Sequence, residues 1–141
     1  MRREDLTVTI EDGTPPTLRV TCTGAAESFR ARLADDGEAR DATDLDVAYR
    51  RTPEEADHDG VVGVTDRLTG AFVFEATAEA DAIATLVTQA TATDGDDPYY
   101  RLSIEPGDDD PLVAEKQTLL VYDSDGSLDR SASLIPGSVE L

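Results

Sequence analysis

Apolar and polar positions alternate over several short runs of this chain, and in one place the period lengthens to that of a helix. Between Gly60 and Ala92, two β-patterned runs flank a turn at 66–70, and the second leads into a stretch where Ala80, Ile83, Ala84, Leu86, Val87 and Ala90 recur at helical spacing. That period predicts a helix over 78–92 whose apolar face requires a sheet beneath it. Phe72, Phe74 and Ala76 alternate on the preceding strand, so all three are expected on the face that meets the helix.

The rest of the chain is mostly strand-patterned. Leu6, Val8 and Ile10 alternate, as do Leu18, Val20 and Cys22, then Leu45, Val47 and Tyr49, and later Tyr100, Leu102 and Ile104. Residues 112–122 read as one long strand, and its end, Leu119-Leu120-Val121-Tyr122, is apolar on both faces, which predicts a central position. Asp123-Ser124-Asp125-Gly126 is a hairpin-turn sequence, and 128–135 is expected to return as the last strand. Residues 25–34 fit either period; Ala, Arg and the following Gly37 favour a short helix. The expected fold is a single α+β domain over 1–141, predominantly β, with about eight strands, a helix at 78–92 and a short helix at 25–34. The alternative is an immunoglobulin-like β-sandwich with an inserted helix, which requires 25–34 to be a strand.

Charge narrows the setting. The chain carries 31 acidic and 12 basic residues, a formal charge of −19, and Lys116 is the only lysine beside eleven arginines. The acids interleave with regular apolar periods, which argues against disorder, and their spread along the chain argues against a one-faced nucleic-acid mimic. At molar salt the Debye length falls to about 3 Å, so the self-repulsion of such a surface is screened. A halophilic cytoplasm is the expected location. The start M-R-R-E-D has no apolar signal core, and no run approaches the ~18 apolar residues of a membrane span, so no membrane association is expected.

The common catalytic constellations are missing. His58 is the sole histidine, on a charged loop, and Cys22 the sole cysteine, so His-based triads and Cys/His zinc sites find no support. Neither Gly-rich phosphate cradle is present, and basic patches with interleaved aromatics are absent, so no cofactor and no nucleic-acid partner is expected. Carboxylate pairs are everywhere and none stands out. The most suggestive group is Asp123, Asp125 and Asp129, part of a calcium-loop pattern without its distal Glu; a hairpin turn whose acids face solvent explains it more simply. Ile135, Val139 and Leu141 give the C-terminal tail an apolar side suited to a protein partner or to packing back on its own domain.

The charge balance, the run G-V-V-G-V-T-D-R-L-T-G-A-F-V-F-E, the segment L-L-V-Y-D-S-D-G-S-L-D-R and the end S-L-I-P-G-S-V-E-L together resemble a small haloarchaeal family known only as a domain of unknown function. The resemblance implies no activity, cofactor or site residues. Two classes of function follow from the residues themselves. One is a non-enzymatic binding or adaptor domain. The other is a small carboxylate-based, cation-dependent enzyme, which needs at least two acids in one concave pocket.

Overall fold

A computed structural model describes residues 5–13, 15–24, 26–35, 38–53, 59–92, 98–106 and 111–135. The strands are β1 (Leu6–Glu11), β2 (Thr17–Cys22), β3 (Ala34–Asp35), β4 (Glu38–Ala39), β5 (Leu45–Arg51), β6 (Gly60–Asp66), β7 (Phe72–Ala78), β8 (Tyr100–Glu105), β9 (Leu112–Lys116) and β10 (Leu120–Tyr122). The helices are α1 (Ala26–Arg32) and α2 (Ala80–Thr91), and a 3₁₀ turn at Ala42–Asp44 precedes β5. Eight strands build two four-stranded sheets, ordered β1-β2-β8-β9 and β10-β5-β6-β7, while β3 and β4 form a small separate pair. This is the expected α+β, predominantly β architecture. Each sheet is mixed, because β2–β8 and β10–β5 run parallel. Those parallel pairs, and the helix at 26–32, set aside the immunoglobulin-like alternative, whose sheets are antiparallel.

The alternating residues converge on one continuous core cluster. Leu18, Val20, Leu102 and Ile104 enter from the first sheet, Leu45, Val47, Val62, Val64, Phe74 and Ala76 from the second, and Ile83, Leu86 and Ala90 from α2. Phe29 of α1 meets Phe74 edge-on, with ring centroids 5.2 Å apart and planes at 77°, the arrangement favoured by the aromatic quadrupole. Tyr49 is also buried; its hydroxyl donates to the Ala78 carbonyl at 3.0 Å. The ring lies so close to Gly60 that a Cβ there would sit 2.3 Å from the Tyr49 oxygen. Gly60 is therefore required by packing.

Several elements depart from the pattern, each for a visible reason. Residues 112–122 are two strands in different sheets: β9 pairs with β8, the chain breaks at 117–119, and β10 pairs with β5. β10 is an edge strand, and its apolar outer positions serve a different purpose, described below. Residues 128–135 do not return as a strand. They meet Leu119 and β10 through two isolated bridges, Leu119 with Leu134 and Tyr122 with Leu128, and through hydrogen bonds of Asp129 and Ser133 with the Val121 backbone. Between β6 and β7 the register shifts, with Val64 opposite Phe74 but Thr65 opposite Phe72. Val73 is the extra residue of this bulge and is buried, while Phe72 is turned outward and half exposed, because one inserted residue reverses the alternation.

Candidate functional site

The outer face of the second sheet carries a trough of about 1060 Å³. Register fixes its floor. Leu120, Ala48 and Gly63 lie side by side across β10, β5 and β6, and Asp46 and Thr65 form the next row. Ala48 and Gly63 keep the middle of this floor low. Leu120 and Tyr122, the outward positions of β10, line its edge, which accounts for that strand being apolar on both faces.

One wall exists because the chain changes sheets between β9 and β10. Glu115, Lys116, Gln117 and Thr118 stand there, together with Tyr99 from the approach to β8. Tyr100 buttresses the wall from inside: its buried hydroxyl donates to the Thr118 carbonyl at 3.0 Å. Burial, reinforced by Asp46, pushes the Tyr100 phenol well above its ordinary range.

Thr43 and Arg67 complete the rim. The Arg67 guanidinium donates to the Thr43 carbonyl at 3.0 Å and lies 3.5 Å from the Asp44 carboxylate. It is held in place by the hairpin tip, where Asp66 accepts from the amides of Leu68 and Thr69 at 2.9 and 3.3 Å, and Gly70 supplies the positive φ of 74°. Arg40 donates to the other Asp66 oxygen. Burial opposes ionisation of Asp66, but Arg40 and the two amides outweigh it and hold its pKa below the usual carboxylate range.

Lys116 is the notable wall residue. It is half-buried, and its ammonium makes no hydrogen bond or ion pair with another described residue. Burial lowers its pKa, against the longer-range pull of Asp46, with Arg67 adding to the lowering and Asp44 and Asp41 opposing it. The trough thus holds cations and carboxylates together, with tyrosines and threonines between them.

The aspartates of the calcium-like segment have other work. The turn itself forms, with the Gly126 amide donating to the Asp123 carbonyl at 2.9 Å and Gly126 at φ 90°. Their side chains do not all face solvent. Arg51 lies between Asp123 and Asp129, donating at 2.9 and 3.1 Å, so a guanidinium occupies the place a cation would need. Asp129 also accepts from the Ser131 hydroxyl at 2.7 Å and the Ala132 amide at 3.3 Å; these bonds and Arg51 depress its pKa. Asp125 is exposed and accepts from the Ser127 amide at 3.1 Å. Among the described residues, no group of three or more His, Cys, Asp or Glu side chains is placed to hold a metal ion.

Of the tail residues, Ile135 is partly buried, while Val139 and Leu141, like His58, lie outside the described residues. Cys22 is half-buried against the core, its thiol directed to the Gly24 carbonyl at 2.6 Å. No helix of the described residues is long and apolar enough to cross a membrane. None of the trough residues was singled out by pattern. Three signals were present in the sequence: a glycine in mid-strand, Gly63, the only lysine, Lys116, and the two-faced apolar end of β10.

The fold and the trough together define a two-sheet α+β architecture with an open concavity on one sheet. The chain belongs to the family of unknown function DUF5793, whose model matches residues 1–141. No curated protein and no solved structure matches it.

Proposed function

We propose that this chain is a non-enzymatic binding domain of a halophilic cytoplasm and that the trough on the second sheet is where it binds. The observation that carries the reading is Gly63. A glycine inside a strand costs roughly 0.5–1 kcal/mol relative to alanine, and it commonly marks a place where something else approaches the backbone closely. At Gly60 that something is Tyr49. At Gly63 nothing among the described residues takes the space: a Cβ there would meet no atom of theirs within 4 Å, and its φ is not positive. Neither close packing nor a positive φ among the described residues calls for this glycine, which favours a use outside the fold.

The −19 charge supports the setting, since molar salt screens a surface of this kind. The test is backbone NMR in molar KCl with a library of small fragments. Binding fragments should perturb the amides of Asp46, Ala48, Gly63, Thr65 and Tyr122 as a group. Fragments that bind elsewhere and leave these amides unmoved would refute the reading.

Asp46 and Glu115 favour a second reading, because both line the same concavity, as a carboxylate-based, cation-dependent enzyme requires. That reading predicts a turnover removed by chelation and by either Asp46→Asn or Glu115→Gln. Both carboxylates are exposed, which leaves them in water and without the dry environment that tunes catalytic acids, so binding is the better-supported function.

A further inference from the structure

We infer that the ligand of the trough is a neutral polyhydroxylated molecule of the saccharide class; this rests on the trough being the binding site. The charges on its walls are mixed. Lys116 and Arg67 stand with Asp46 and Glu115 around one floor, so neither a polyanion nor a polycation finds a complementary surface. Arg67 is already engaged by Asp44 and the Thr43 carbonyl. What remains is a set of single donors and acceptors: the Lys116 ammonium, the Gln117 amide, the Asp46 and Glu115 carboxylates and the tyrosine hydroxyls.

Such a set suits hydroxyl groups, each of which donates one hydrogen bond and accepts others. A carboxylate accepts the hydrogen bond that a hydroxyl donates, and the ammonium donates one to a hydroxyl oxygen. Tyr99 and Tyr122 add rings with apolar faces and polar tips, and Leu120 and Ala48 extend the apolar floor for the C–H face of a sugar ring. Lowering the floor at Gly63 lets a flat ring lie against the strands. The trough, at about 1060 Å³, is just above the ~300–1,000 Å³ typical of small-molecule sites.

Salt points the same way. When the Debye length is about 3 Å, long-range attraction contributes little, and recognition depends on contacts at hydrogen-bond and van der Waals distance. A neutral ligand loses nothing in this medium.

The experiment titrates glucose, galactose, N-acetylglucosamine, maltose and cellobiose into the isotopically labelled chain in molar KCl. Glucosamine, glucose 6-phosphate, ATP and spermidine serve as charged comparisons. At least one neutral sugar should give saturable shifts at the Ala48, Gly63 and Thr65 amides, with an affinity that hardly changes between half-molar and three-molar KCl. Gly63→Val, checked for folding by its own spectrum, should abolish those shifts. Charged probes that titrate the same amides while the neutral sugars do not would overturn the ligand class and leave the trough standing. Sugar shifts confined to other residues, or undiminished in Gly63→Val, would overturn the trough itself. A complete absence of sugar binding beside fragments that do fill the trough would also overturn the saccharide class.

Discussion

The ring pair of Phe29 and Phe74 joins α1 to the second sheet, and its removal should be expensive. Phe74 has no exposed surface, and neither has Phe29. Truncating a fully buried phenylalanine to alanine costs roughly 3–5 kcal/mol, part lost transfer free energy and part cavity. Edge-to-face geometry adds about 0.5–1.5 kcal/mol beyond area burial. Against a total stability of roughly 5–15 kcal/mol, Phe74→Ala is close to the limit of what the fold survives. Leucine at each position keeps most of the apolar volume and removes the ring contact, so Phe29→Leu, Phe74→Leu and the double variant form a usable cycle. Urea unfolding at fixed molar KCl, with the m-value held as a check on two-state behaviour, gives the free energies. A coupling of about 0.5–1.5 kcal/mol is expected between the two sites. A coupling near zero, or a cost for Phe74→Ala below about 1 kcal/mol, would refute the packing of α1 on this sheet.

Alkaline pH should unfold the chain through its buried tyrosines. Burial, with Asp59 adding, pushes Tyr49 up to about 12, so its stabilising preference for the neutral form is intact below the unfolded value near 10 and disappears as pH rises through the folded one. Ultraviolet titration should show late phenol ionisation that shrinks in Tyr49→Phe to the share of the still deeper-buried Tyr100. Acid acts through Asp129, whose folded pKa is depressed: its contribution is present above the unfolded value near 3.9 and is lost as pH falls through the folded one. Asp129→Asn should lower the melting temperature by several degrees at neutral pH, with the gap to wild type closing in acid; an equal melting temperature at pH 7 would mean that Arg51 and the 131–132 turn do not depend on this carboxylate. Circular dichroism through a KCl titration should show structure lost as salt falls, because at 0.1 M the Debye length of about 10 Å leaves the −19 surface unscreened. An unchanged melting temperature in dilute buffer would exclude this salt requirement.

The elements set by local period were legible in the sequence. The Ile83, Leu86 and Ala90 stripe located α2, and the alternations of β1, β2, β5 and β8 placed their inward side chains on the core. What depended on partners far along the chain was not legible. Residues 112–122 have an unbroken strand pattern, yet β8 claims one half and β5 the other, and no local preference records that division. The bulge at Val73 reverses Phe72 with no glycine or proline to announce it. Asp129 looked like a solvated turn residue because its partner, Arg51, is 78 positions away. The trough was hidden for the same reason. Its floor joins β5, β6 and β10, and only Gly63, Lys116 and the two-faced apolar end of β10 hinted at it.

The most direct test of the trough replaces Gly63 by valine and reads stability and binding on the same samples. Valine is a better strand former on a scale spanning about 1 kcal/mol, and the space above Gly63 is open. The fold should therefore be unchanged or more stable, by a melting-temperature rise of up to about 2–6 °C for a chain of this size. At the same time, fragments or sugars that perturb the Ala48 and Thr65 amides of the wild type should no longer do so. A stability gain with binding lost means that the glycine is kept for a ligand. A clear destabilisation would mean that the fold itself requires Gly63, and binding that survives intact would mean that the floor of the trough is not where the ligand lies.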